Sequence, residues 1–228
     1  MKETIYTIPI NEALEEAIAA GNNPRDCFCP ICRLHDKLEN DTLEYILGGA
    51  MMEPDVRVRT NEQGFCQLHL GRMASMRKAL SLALMLQTHL QTVRDKPSLK
   101  LLGEESCFLC NRIGGFLEKY YENILYLWEA EPEFRQKLND VPYICLKHCT
   151  GLARTAKKNL HRKKAPIFLK EMETRVTRSA GRMEESVSTF CKSFDHRFAG
   201  MELGDAKNAS ERAARYLGGD PFELRQER

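Results

Sequence analysis

The sequence lacks any apolar run able to cross a bilayer. The longest nearly apolar stretch, Ala79 to Leu86, covers eight residues and contains Ser81, against the ~20 that a membrane helix needs. No membrane partner is expected. Also missing is the basic start and apolar stretch of an export leader: Glu3 follows Met1-Lys2, then come Pro9, Glu12, Glu15 and Glu16. The expected location is cytoplasmic. Charge of one sign is not in excess, since 34 Lys and Arg against 32 Asp and Glu leave a net +2, which by itself selects no polyanionic partner. Common catalytic signatures are absent as well. The chain holds no G-x-G-x-x-G, G-x-x-x-x-G-K-[ST], G-x-S-x-G or H-E-x-x-H, so no enzyme constellation is visible.

What the chain does have is cysteine, nine in 228 residues. A disulfide framework does not fit a reducing cytosol, which leaves metal ligation or thiol chemistry. The spacing of these cysteines exposes an internal repeat. Cys29-Pro30-Ile31-Cys32 recurs as Cys107-Phe108-Leu109-Cys110, and Cys66-Gln67-Leu68-His69 recurs as Cys145-Leu146-Lys147-His148. Between them Glu44, Ile46 and Leu47 match Glu122, Ile124 and Leu125, and Glu53-Pro54-Asp55-Val56-Arg57 matches Glu131-Pro132-Glu133-Phe134-Arg135. Two chance C-x-x-C motifs would not share an E-P-[DE]-x-R, so the chain is read as a duplication.

Periodicity predicts an all-α fold of duplicated helical zinc-binding units packed into one domain. Asn11 can cap a helix over Glu12 to Ala20, stopped by Gly21. Pro30 opens a helix whose Ile31, Leu34, Leu38, Leu43, Ile46 and Leu47 recur at helical spacing as far as Gly48-Gly49, and Cys107 to Trp128 repeats it. A helix after Cys66 is expected to run to about Arg94, with Ala79 to Leu86 as its buried middle. After Cys145 a helical stretch leads to Pro166, and another spans roughly Ile167 to Phe198. Only Ile5 to Ile10 resembles a strand. The expected organisation is an N-terminal segment and helix over 1–26, a first repeat over 27–97, a second repeat with long C-terminal helices over 98–198, and a variable, partly disordered tail over 199–228 with a short helix near Ala209 to Leu217.

The repeated pairs carry the chemistry. A C-x-x-C or C-x-x-H on the first turn of a helix places both side chains on one face, because residues three apart are neighbours there. Free N–H groups at the helix start can donate to the sulfurs. Two pairs make three sulfurs and one imidazole, a common structural zinc set with no open position. Cys29, Cys32, Cys66, His69, Cys107, Cys110, Cys145 and His148 are thus the candidate ligands for two Zn²⁺ ions per chain. Spacing leaves open whether a site draws its ligands from one repeat or from both; the grouping favoured is within each repeat.

Other chemistries compete for the same residues. An iron–sulfur cluster would use the same thiolates, although four cysteines are its usual set. Cys29-Pro30-Ile31-Cys32 is a glutaredoxin-type C-P-x-C, but thiol-redox catalysis there needs a strand before the helix. Cys27, Cys149 and Cys191 are read as packed or free thiols, and His35, His89, His161 and His196 have no partner at metal spacing. Tyr120, Tyr121, Tyr126 and Trp128 are read as core. Arg57 and Arg135 are placed to pair with Glu53 and Glu131 four residues earlier, on helices opened by Pro54 and Pro132.

Charge is unevenly distributed. Lys147 to Arg182 holds eleven Lys or Arg against Glu171 and Glu173, whereas Glu104 to Asp140 has eight acids against four bases. The segment 154–182, with Lys157, Lys158, Arg162, Lys163 and Lys164, is a candidate nucleic-acid face; a solvated helix surface is the alternative.

Met1-Lys2-Glu3-Thr4-Ile5-Tyr6-Thr7-Ile8-Pro9-Ile10-Asn11-Glu12, Cys29-Pro30-Ile31-Cys32, Met51-Met52-Glu53-Pro54-Asp55-Val56-Arg57, and Gly64-Phe65-Cys66 with His69 together resemble a bacterial family of similar length, a domain of unknown function. The resemblance covers the chain to about residue 195. It implies a bacterial cytoplasmic protein and no particular activity. The function expected from all of this is a zinc-stabilised helical scaffold or regulatory module whose partner is a protein, with nucleic acid as the alternative.

Overall fold

A computed structural model describes residues 4–21, 28–95, 107–198 and 200–219. Its regular elements are helical, and no strand occurs among the described residues. The α-helices are α1 (Thr4–Ala20), α2 (Pro30–Ile46), α3 (Pro54–Gln63), α4 (Gln67–Ser75), α5 (Ala79–Asp95), α6 (Phe108–Ala130), α7 (Pro132–Asp140), α8 (Leu146–Asn159), α9 (Ala165–Lys192) and α10 (Ala209–Gly218). Short 3₁₀ turns occupy Gly49–Met52, His196–Phe198 and Gly204–Asn208. Among the described residues no helix is long and apolar enough to cross a membrane.

Three local expectations are corrected. The strand-like Ile5 to Ile10 is helical, because Ile10, Ala13, Leu14 and Ala17 form one buried stripe at helical spacing while Ile5 and Ile8 stay exposed. Asn11 is consequently inside α1 rather than its cap, and its side-chain amide donates to the Thr7 carbonyl. The single helix expected after Cys66 is two, broken where Arg77 takes a positive φ of 55°. The apolar middle of α5 is not a buried centre either. Met85 alone is fully buried there, and Leu80 is 72% exposed.

The chain divides into two compact units, one of Met1–Leu34 with Glu118–Arg228 and a smaller one of His35–Leu117. In the smaller unit Leu43, Ile46, Leu47, Val56, Met73, Met85, Leu109 and Ile113 form a shared core. In the larger unit α1 meets α6 through the Tyr6–Tyr120 ring pair, and Trp128 packs edge-on against Phe168 of α9 with centroids 5.1 Å apart. Tyr120, Tyr121 and Trp128 are buried as expected, but Tyr126 is 46% exposed.

The repeated arginines reach acceptors on neighbouring helices. Arg57 donates from α3 to the Leu84 carbonyl and the Thr88 hydroxyl of α5. Arg135 leaves α7 to pair with Glu171 of α9 and stacks on Trp128. A planar guanidinium with several donors gains more from a half-buried acceptor on a neighbouring helix than from an exposed carboxylate on its own.

Candidate metal centres

Four helices begin in the same register. Cys29, Cys66, Cys107 and Cys145 each stand immediately before a first helical residue, and Cys32, His69, Cys110 and His148 occupy the third helical position. Each pair therefore projects from one helix start. The Cys110 N–H donates to Cys107 Sγ at 3.5 Å, the kind of bond an unpaired helix-start amide can offer a sulfur.

Two of these starts meet in each unit. In the larger unit Cys29, Cys32, Cys145 and His148 converge, all buried; in the smaller unit Cys66, His69, Cys107 and Cys110 converge, with Cys66 half-buried and Cys110 exposed. This overturns the within-repeat grouping, since each centre joins the C-x-x-C of one repeat to the C-x-x-H of the other. The reason is long-range packing. In the smaller unit the Phe108 N–H binds the Gly64 carbonyl at 3.0 Å, which holds the start of α6 against the chain entering α4.

The donor geometry has the dimensions of a tetrahedral metal site. His148 Nδ1 lies 3.5, 3.4 and 3.2 Å from the sulfurs of Cys29, Cys32 and Cys145, and His69 Nδ1 lies 3.2, 3.3 and 3.4 Å from those of Cys66, Cys107 and Cys110. The Cys32–Cys145 and Cys66–Cys110 sulfur pairs are both 3.8 Å apart. A tetrahedron with metal–sulfur bonds of about 2.3 Å and a metal–nitrogen bond of about 2.0 Å has edges of about 3.8 Å between sulfurs and about 3.5 Å from sulfur to nitrogen. Both donor sets can hold a metal ion.

What surrounds the two imidazoles differs. His69 Nε2 lies 3.1 Å from Glu39 Oε1, the other Glu39 oxygen pairs with Arg72, and Arg72 also donates to Asn40 Oδ1 at 2.9 Å. At the positions corresponding to Glu39 and Arg72 the second repeat has Leu117 and Gly151. His148 Nε2 is buried with no hydrogen-bond partner among the described residues, and the Tyr121 ring lies 6.4 Å from the imidazole, centroid to centroid. Gly151 makes room for that ring, because a Cβ there would meet the Tyr121 hydroxyl at 2.5 Å. The C-terminal end of α10 covers the same centre. A Cβ at Gly219 would stand 3.6 Å from Cys32 Sγ and 3.8 Å from Cys145 Sγ.

Electrostatics follow the surroundings. Burial pushes the Cys29 thiol well up, and the neighbouring Cys145 and Cys32 raise it further, so thiolates there need a cation beside them. In the other centre burial opposes the His69 charge, yet its bonds to Cys107 and Glu39 raise it to about 10. Burial likewise raises Cys107, but the bond from His69 and those from the backbone bring it down to about 6. Cys110, although exposed, is pushed up to about 12 by partial desolvation and by Cys107 beside it. Burial also raises Glu39, but His69 and Arg72 outweigh it and hold the carboxyl at about 2.

The remaining candidates fall outside the two centres. Cys149 is buried, its thiol against the Ile144 carbonyl at 3.5 Å and pushed up to about 12 by burial, whereas Cys191 is exposed. Cys27 lies outside the described residues. His35 falls beside Asp36 and Glu39 on α2, a His-Asp-x-x-Glu spacing that sequence reading passed over; Glu39 itself is engaged by His69 and Arg72. Lys157, Lys158, Arg162, Lys163 and Lys164 are all exposed around the end of α8 and the start of α9, and Lys164 pairs with Glu129 at 3.0 Å.

Fold and donor sets define an all-helical, internally duplicated protein with two three-cysteine, one-histidine clusters. The chain belongs to a family of unknown function (DUF6062), whose model matches it twice, over residues 1–102 and 99–223. It is also similar to the "Uncharacterized 23.9 kDa protein in xynA 3'region" of Caldicellulosiruptor sp. (strain Rt8B.4), with 20% identity over 170 residues that cover 71% of this chain and 82% of that protein. No solved structure matches.

Proposed function

We propose that the two clusters are closed structural zinc sites and that the protein is a zinc-fastened helical scaffold acting through a protein partner. The observation that carries the reading is the donor set. Three sulfurs and one imidazole, already spaced as a tetrahedron, leave no position for water or substrate, so the metal holds helices together rather than polarising a reactant. The histidine in each set favours zinc over an iron–sulfur cluster, for which four cysteines are usual. A C-P-x-C redox centre has no supporting strand among the described residues. Exposed apolar side chains on the smaller unit, with Leu80 at 72%, Leu68 at 62% and Leu90 at 64%, suit a protein partner. Elemental analysis with an absorption spectrum is the test. Two zinc ions per chain and a colourless protein are expected; absorption near 400 nm, or fewer than about one metal per chain, would remove the reading.

A second reading rests on the exposure of Lys157, Lys158, Arg162, Lys163 and Lys164, which form a basic turn able to meet phosphates. Binding to DNA or RNA at low salt, abolished when all five become Gln, is its signature. No affinity at low salt would leave only a solvated surface.

A further inference from the structure

We infer that the Cys66, His69, Cys107 and Cys110 centre is an oxidation site for hydroperoxides, at which Cys110 is the attacking sulfur and the metal ion is the species released. The inference rests on the closed-site reading above and adds to it a reactivity that the other centre does not share.

Accessibility separates the two centres. Both centres present three sulfurs and one imidazole, and what separates them for a peroxide is whether it can reach a sulfur. All four donors of the Cys29, Cys32, Cys145 and His148 centre are buried, and the end of α10 lies over two of its sulfurs. In the smaller unit Cys110 is exposed and Cys66 is half-buried, with their sulfurs 3.8 Å apart. An accessible thiolate beside a second thiol is the arrangement in which a sulfenic acid is captured as a disulfide.

The chemistry balances with a hydroperoxide as the named oxidant. The Cys110 thiolate attacks the terminal peroxide oxygen, the S–O bond forms as the O–O bond breaks, and the alcohol or water leaves after taking a proton from solvent. Cys66 thiolate then attacks the Cys110 sulfur, the S–S bond forms, the S–O bond breaks, and hydroxide leaves as water. Two thiolates lose two electrons, the peroxide gains them, and two protons are consumed. The sulfurs must close from 3.8 Å to about 2.05 Å, which a metal ion between them prevents. Disulfide formation and metal release are therefore one event, and His69 and Cys107 alone cannot retain the ion.

The test uses the full metal-loaded chain carrying Cys191→Ser, which removes the exposed thiol on α9. Hydrogen peroxide is added in small excess, metal release is followed with a chromogenic chelator, and disulfides are located by peptide mass mapping. The expected result is release of one metal equivalent of two, a Cys66–Cys110 disulfide, unmodified Cys29, Cys32 and Cys145, and recovery on adding a thiol reductant with zinc. Cys110→His keeps four ligands while removing the accessible sulfur, and should slow release by at least about tenfold. Equal release from both centres, no release, or first oxidation at Cys29, Cys32 or Cys145 would overturn the inference while leaving two structural metals in place. A protein that holds no metal as purified would instead remove the closed-site reading, and with it this one. The disulfide map of the parent protein decides the matter even where Cys110→His fails to fold.

Discussion

The two Cys/His clusters of one duplicated chain have the same donor residues and different surroundings. In the smaller unit the histidine is oriented by a carboxylate, the carboxylate by an arginine, and one sulfur faces solvent. In the larger unit the histidine lies beside a tilted aromatic ring, has no hydrogen-bond partner for its outer nitrogen among the described residues, and every donor is buried. A carboxylate behind a metal-binding imidazole fixes its tautomer and strengthens it as a ligand. Burial instead slows exchange by excluding water and competing ligands. The carboxylate and arginine that support the first histidine have no counterpart in the second repeat, where the matching positions are Leu117 and Gly151.

The largest expected effect concerns both centres together. A structural zinc site contributes on the order of 10 kcal/mol, comparable with the stability of a whole domain, so stripping both metals with a strong chelator at neutral pH should collapse most of the helical circular dichroism. A stripped protein with unchanged helicity would show that the packed helices stand without metal. Order of loss then distinguishes the centres: the accessible one should empty first as chelator is raised.

Next in size are the ligand substitutions, which test the crossed pairing. Cys32→Ser with Cys145→Ser should leave one metal per chain, because both belong to one centre, whereas Cys32→Ser with Cys66→Ser should leave none, because they belong to different centres. The within-repeat grouping predicts the opposite counts. Cys145→Ser should also lower thermal stability more than Cys110→Ser, the first sulfur being fully enclosed and the second exposed.

A smaller effect probes the aromatic enclosure. Gly151→Ala puts a methyl into the Tyr121 ring and should cost about 1–3 kcal/mol by overpacking. Combining it with Tyr121→Leu, which copies the Leu43 of the first repeat, should restore part of the loss in chemical denaturation. Absence of any rescue would mean that the ring is not what Gly151 accommodates. The smallest effect belongs to the polar support. Glu39→Gln should weaken zinc affinity in the smaller unit by about 10- to 100-fold and leave the other centre unchanged, as read by competition with a chromophoric chelator.

Much of this was legible without a fold. Local rules relate residues three or four apart, so the sequence alone placed each C-x-x-C and C-x-x-H on one helix start and found the duplication. It also placed Pro30, Pro54 and Pro132 in opening turns, where a missing N–H costs nothing. Where local signals were weak or conflicting they misled. The apolar residues of Ile5 to Ile10 imitated a strand in α1, and the run Ala79 to Leu86 imitated a buried helix although most of it is at least partly exposed.

Tertiary structure alone decided which helix starts meet. Thirty or more residues separate the C-x-x-C from the C-x-x-H of each repeat, and over that distance spacing constrains nothing, whereas packing and the Phe108–Gly64 hydrogen bond choose a partner from the other repeat. Glu39, Arg72, Tyr121, Gly151 and Gly219 were beyond the reach of pattern for the same reason. Each acts on a centre through space, and nothing in their own neighbourhood along the chain marks them for it. The sequence specified the donors, because their chemistry is local; the fold specified the sites, because enclosure, access and the choice of partner arise only when distant helices are in contact.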